Sequence, residues 1–201
     1  MIHLNNMKIL VACEESQAVT IELRKLGHEA FSCDILPCSG GHPEWHIQGD
    51  VLAQLDKGWD MMIAHPPCTY LSNAGARFLY PKGILNQDRL ALGMEAKNFF
   101  MQLLNAPIAK IVIENPVQST VFGIRKYDQL IEPYQFGHPF KKKTCLWLKN
   151  VPPLEHTNVL SKPESTKVAG NWFNKGGKER QKNRSKTFQG IAQAMAKQFT
   201  Q

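Results

Sequence analysis

In the first half of the chain, short and nearly unbroken apolar runs alternate with segments whose apolar residues recur at helical spacing. Residues 7–13 (MKILVAC) form the first run. In SQAVTIELRKLG, Val19, Leu23 and Leu26 share one face, which predicts a helix that stops at Gly27. Further runs lie at 29–36 (EAFSCDIL), 46–52 (HIQGDVL), 60–67 (DMMIAHPP) and 109–116 (AKIVIENP), with a long amphipathic helix predicted over 88–105. Strands apolar on both faces, alternating with helices, imply a parallel sheet covered on both sides. The second half breaks the alternation. Residues 127–137 and 142–154 read as two antiparallel strands at one edge of that sheet, a reversed hairpin over 127–149. Residues 187–199 (TFQGIAQAMAKQF) predict a closing helix docked on the sheet, with Ile191, Met195 and Phe199 on one face.

The expectation is a single α/β domain over 1–201, Rossmann-like and mainly parallel, in which the polar, Gly- and Lys-rich stretch 155–186 is an insertion or loop. No apolar run approaches the ~20 residues of a membrane span. The first residues carry no basic region or small-residue cleavage site, so the chain reads as cytoplasmic without a signal peptide. Five cysteines, at 13, 33, 38, 68 and 145, are odd in number and scattered, which suits a reduced protein better than a disulfide framework.

Charge changes the picture modestly. Against 24 Lys and Arg stand 17 Asp and Glu, a net charge of +7 that leans toward polyanionic partners. Lys175, Lys178, Arg180, Lys182, Arg184 and Lys186 crowd into one stretch, either a solvated loop or a phosphate-contacting surface.

In parallel sheets, ligands bind beyond the carboxyl ends of the strands. The predicted strands end at Cys13-Glu14-Glu15-Ser16, at Asp34, at Asp50, at Pro66-Pro67-Cys68 and at Glu114-Asn115. Acidic residues and a thiol therefore converge on one rim. Asp34 and Asp50 could simply cap the turns that follow them. Two carboxylates there also suit the ribose and adenine of a nucleoside cofactor. The first turn, ACEESQ, lacks the glycines that a pyrophosphate requires, which favours S-adenosylmethionine over a dinucleotide. A thiol in a Pro-Pro-Cys turn with a carboxyl group one strand away can act as a nucleophile with an acid partner.

HPPCTYLSNAGARF resembles the Pro-Cys motif of the cytosine-C5 DNA methyltransferases, and IENP resembles their Glu-Asn motif. The order of Asp34, Asp50, Cys68 and Glu114 follows that family's ladder, and FQGIAQAMAKQF is similar to its last helix. IQGDVL, WDMMIAHPPCTYL, QFGHP, TCLWLK and RSKTFQGIAQAMA bring the whole chain closest to the short phage and prophage type of that family. The resemblance implies an S-adenosylmethionine-dependent methyltransferase fold with no large target-recognition domain, acting on cytosine in DNA. By position, Cys68 would attack C6 and Glu114 would contact N3 and the exocyclic amine. Pro67 would shape the turn and Asn115 would brace it. Asp34 and Asp50, with Ile35, Val51 and Pro66 beside them, would hold the cofactor's ribose and adenine. Ala12, Cys13, Glu14 and Ser16 would border its methionine part. Lys143, Lys178, Arg180, Arg184 and Lys186 would contact nucleic acid.

Three other readings stand beside this one. Cys33, Cys38, His42 and His46 have residue types that suit zinc, at cramped spacing. The chain could be a non-catalytic nucleic-acid-binding protein on a degenerate methyltransferase fold. It could also methylate a free nucleotide or a single-stranded nucleic acid.

Overall fold

A computed structural model describes residues 6–162 and 186–201. At its centre, β1 (Lys8–Ala12) pairs in parallel with β2 (Glu29–Asp34) on one side and with β4 (Met61–Ala64) on the other. β3 (His46–Gln48) extends the sheet beyond β2, and β5 (Lys110–Asn115) extends it beyond β4. β7 (Thr144–Lys149) runs antiparallel to β5, and β6 (Gln129–Ile131) runs antiparallel to β7. The order is β3-β2-β1-β4-β5-β7-β6, a mixed, mostly parallel, Rossmann-like sheet whose reversed edge pair was legible from the sequence.

Side chains alternate across each strand, so each strand feeds two cores. Ile9, Val11, Met61, Ile63, Val112 and Leu146 face α1 (Ala18–Lys25) and α4 (Gln189–Phe199). Leu10, Ala12, Met62, Ala64, Ile111 and Ile113 face α3 (Gln87–Leu104), through Phe100 and Leu103. α4 is pinned at its start, where Gly190 donates its N–H to His138 Nε2 at 2.8 Å. A Cβ on Gly190 would lie 2.0 Å from the Phe136 carbonyl oxygen. Gly190→Ala is therefore expected to cost about 1–3 kcal/mol, the range for overpacking. An unchanged thermal midpoint would show that this contact does not form.

Two strands are shorter than the sequence predicts. β3 stops at Gln48 because Asp50 turns the chain: its carboxylate accepts the Leu52 N–H at 2.9 Å and caps a short 3₁₀ turn. β6 stops at Ile131 because Pro133 opens another 3₁₀ turn, closed by the Glu132 N–H on Gln135 Oε1 at 2.6 Å. No helix among the described residues is long and apolar enough to cross a membrane.

Candidate active site at the switch point of the sheet

The chain winds outward from β1 through β2 to β3, then returns to the other side of β1 for β4 and β5. This reversal places a switch point between β1 and β4, where open α/β sheets carry their ligand crevice. The turns after β1 and after β4 flank it.

The first turn is strained. Cys13 (φ 59°) and Gln17 (φ 56°) both hold left-handed backbone, and neither is glycine. The swing at Cys13 carries Glu14 inward. Its carboxylate is buried and accepts from Val19 N–H at 2.7 Å, Thr20 N–H at 3.3 Å and Thr20 Oγ1 at 2.7 Å, which caps α1. Glu14 lies in the turn expected to border the cofactor, and its side chain is spent on the helix. Ala12 is fully buried, and the side chains on the rim of this turn are Glu15 and Ser16. Gln17, also buried, clamps the loop that follows β2. It donates to the His42 carbonyl at 2.8 Å and accepts the His42 N–H at 3.1 Å.

Asp34 and Asp50 each spend one oxygen on a local turn. Asp34 accepts Leu36 N–H and Asp50 accepts Leu52 N–H, both at 2.9 Å. The second oxygen of each makes no hydrogen bond among the described residues. Their charges meet over the β1 and β2 termini. Burial, then Asp34, Cys33 and Asp50, pushes the Cys13 thiol far above its ordinary value. Burial with the same two carboxylates pushes the Cys33 thiol up to about 11. Ile35 stands 73 % exposed beside Asp34, whereas Val51 is buried in the core.

Across the switch point, β4 continues one residue further, with His65 N–H on the Ala12 carbonyl at 2.9 Å. Pro66 and Pro67 then end the ladder, because neither has an N–H to give. The half-buried Cys68 follows in a turn closed by Ser72 N–H on its carbonyl at 3.0 Å, just before the single-turn α2 (Asn73–Ala76). None of the five cysteines is in a disulfide. Asn115, buried at the end of β5, donates to the Pro66 carbonyl at 2.7 Å and ties the two strand ends together. Arg89 of α3 braces the segment after Cys68, donating to the Thr69 and Gly75 carbonyls at 3.3 and 3.1 Å. Its guanidinium lies over Tyr70 and Phe78, 5.0 and 5.1 Å from the ring centroids, and Arg77 lies over Phe78 at 4.6 Å. Phe78 and Tyr80 are about half exposed there.

A second tie joins β4 to β5. His65 follows the Met61–Ile63 parity and Glu114 the Val112 parity, so both side chains leave the sheet on the α1/α4 face. His65 Nδ1 lies 3.1 Å from Glu114 Oε2, with the two side chains only 8 % and 12 % exposed. Burial opposes charge on Glu114. The His65 hydrogen bond, with the charges of Lys142 and His65, outweighs it and holds the carboxyl below its usual range. Burial likewise opposes charge on His65, but the bond and charge of Glu114, aided by Glu14, raise it against Lys142. The two side chains are hydrogen-bonded through Nδ1, and the buried Nε2 of His65 has no partner among the described residues.

Register separates Lys142 from Lys143, the lysine expected to contact nucleic acid. Leu146 pairs with Glu114 and faces α1 and α4, so Thr144 and Lys142 share that face, while Lys143 falls on the Cys145 face and is exposed. Lys142, with Thr144, Thr187, Phe188 and Ile191, lines a cavity of about 10 Å³ against Glu114, room for one water. His65, Lys142 and Arg89 are absent from the sequence reading of the site. For His65 and Lys142, the detectable signal is the period-2 alternation that places each on the Glu114 face. Of the basic run, Lys186 is exposed before α4, while Lys178, Arg180 and Arg184 lie outside the described residues.

The zinc alternative is not assembled. Cys33 is buried in β2, with its thiol on the Gly49 carbonyl at 3.7 Å. His46 bonds Ser32 Oγ at 2.8 Å and the Leu36 carbonyl at 2.9 Å, and His42 stacks on Trp45. No group of three or more metal-ligating side chains occurs among the described residues.

No protein-family model matches the chain, and no curated protein matches it.

Proposed function

We propose that this chain transfers a methyl group from S-adenosylmethionine to C5 of cytosine in DNA, through a covalent adduct at Cys68. The observation that carries the reading is the pairing of two half-sites across the switch point. On one side, the Pro-Pro-Cys turn is bound to the Glu114 strand end by Asn115 and His65. On the other, Asp34 and Asp50 converge, each with an unspent carboxylate oxygen.

Those carboxylates fit the cofactor's ribose hydroxyls and adenine amine, and the exposed Ile35 supplies an apolar face for the ring. The cofactor contributes an electrophilic methyl group when bound. The chain supplies the rest. Cytosine C5 is a poor nucleophile until the Cys68 thiolate adds to C6. The ring electrons displaced by that bond reach N3, where a proton from Glu114 neutralises them. The enamine so formed is nucleophilic at C5. After methyl transfer, a water molecule takes the C5 proton, the electrons of that C–H bond restore the C5–C6 double bond, and Cys68 leaves C6 as the thiolate.

The net charge of +7 supports a nucleic-acid partner, as does the Arg77–Arg89 pair with the half-exposed Phe78 and Tyr80 downstream of Cys68. Arginines beside half-exposed aromatic rings favour single-stranded or locally opened DNA, because an unpaired base can stack on a ring or on a guanidinium plane. The test offers duplex DNA, single-stranded DNA, RNA and free nucleotide with methyl-labelled cofactor, and identifies 5-methylcytosine in the product. Calorimetry on the demethylated cofactor runs beside it, with Asp50→Ala expected to weaken binding roughly 10- to 100-fold. No methyl transfer to any of the four substrates would overturn the proposal.

A further inference from the structure

We infer that His65 is the proton-holding partner of Glu114, so that one proton shared by this buried couple is what Glu114 delivers to cytosine N3. The inference rests on the methyl-transfer reading for its substrate, and on geometry for the couple itself. His65 sits one residue before the Pro-Pro-Cys turn, and Glu114 at the end of the neighbouring strand. Their 3.1 Å contact joins residues 49 apart in sequence, and both side chains are about nine-tenths buried.

The problem the couple solves is chemical. Glu114 must present a proton at the moment Cys68 adds to C6, yet its surroundings hold it as a carboxylate in the resting protein. With Lys142 facing it from the segment before β7, a lone Glu114 would be a poor acid. His65 stores the missing proton. As the S–C6 bond forms, the C5–C6 π electrons move through C4 to N3. The proton passes from His65 to Glu114 and from Glu114 to N3, which leaves a neutral imidazole beside a carboxylate. When Cys68 departs, the N3 proton returns by the same path, so the couple ends as it began. The charged groups facing His65 are Glu114 from β5, Glu14 from the turn after β1 and Lys142. From the α4 side, the cavity residues beside Glu114 are Thr187, Phe188 and Ile191, all uncharged. His65 does not touch substrate in this scheme; it is a positioning residue.

Two measurements on the full chain test the couple. The first is independent of activity: nitrogen-15 NMR of the unliganded protein from pH 5 to 9. His65 is expected to stay doubly protonated to a midpoint above 6.5, the ordinary histidine value, and Glu114→Gln is expected to bring that midpoint down. The second is the single-turnover rate of adduct formation on a 5-fluorocytosine oligonucleotide. His65→Asn, which can donate a hydrogen bond but cannot carry a proton, is expected to slow it roughly 100-fold, the low end for general acid catalysis. The same variant should lose the high-pH fall of the rate while cofactor affinity stays unchanged. A wild-type His65 that titrates at or below 6.5 would overturn the couple, as would a His65→Asn protein with unchanged rate and pH profile. A His65 midpoint above 6.5 with no adduct on any substrate would leave the couple standing and overturn the methyl-transfer reading.

Discussion

An oligonucleotide carrying 5-fluorocytosine, mixed with the protein and S-adenosylmethionine, is expected to become covalently bound to Cys68 and to survive denaturation. Fluorine at C5 permits the addition at C6 and the methyl transfer. It then leaves no proton to remove, so the carbon–sulfur bond cannot break. The adduct should be visible as a protein band shifted by the mass of the oligonucleotide, and it should require the cofactor. Cys68→Ala is expected to abolish it outright. Of the other cysteines, Cys33 and Cys145 are buried in strands, with thiols pushed up to about 11 and about 12. The Cys13 thiol is held protonated by burial and two carboxylates, so it offers no substitute nucleophile. Glu114→Gln is expected to slow adduct formation by about 100-fold or more, because an amide cannot deliver a proton to N3. An adduct that persists in Cys68→Ala would assign the nucleophile elsewhere.

The parts of this molecule legible in the sequence are those where local composition decides the outcome. β1, β4 and β5 are buried on both faces, so their apolar runs stand out whatever their neighbours are. Cys68 and Glu114 stand out because each follows such a run directly. The illegible parts depend on backbone detail or on register. Glu14, Asp34 and Asp50 look equivalent as acidic residues at strand ends. Only the left-handed turn at Cys13 sends Glu14 into the interior while the other two stay at the rim. Within the run Lys141-Lys142-Lys143, nothing local distinguishes one lysine from the next. The Glu114–Leu146 pairing does so, by fixing which of them shares a face with Glu114. His65 lies inside a motif that draws attention to its cysteine, and its own partner is 49 residues away in sequence, at the end of the neighbouring strand.

Glu14→Ala is expected to cost stability rather than ligand contacts. The carboxylate satisfies two backbone N–H groups of the first turn of α1 and the Thr20 hydroxyl, all within the buried joint between β1 and α1. Alanine would leave those donors without an acceptor where water enters poorly, at ~1–3 kcal/mol per group before any relaxation. Partial fraying of the helix start would recover some of this, and a net loss of about 3 kcal/mol is the expected outcome. In a chain of this size that corresponds to a thermal midpoint roughly 6–12 °C lower. Glu14→Gln keeps one acceptor oxygen and should lose less, with cofactor affinity essentially retained. Differential scanning calorimetry and cofactor titration on both variants separate the two roles. If the midpoint of Glu14→Ala stayed at the wild-type value while cofactor binding collapsed, Glu14 would belong to the rim after all, and the inward turn at Cys13 would be wrong.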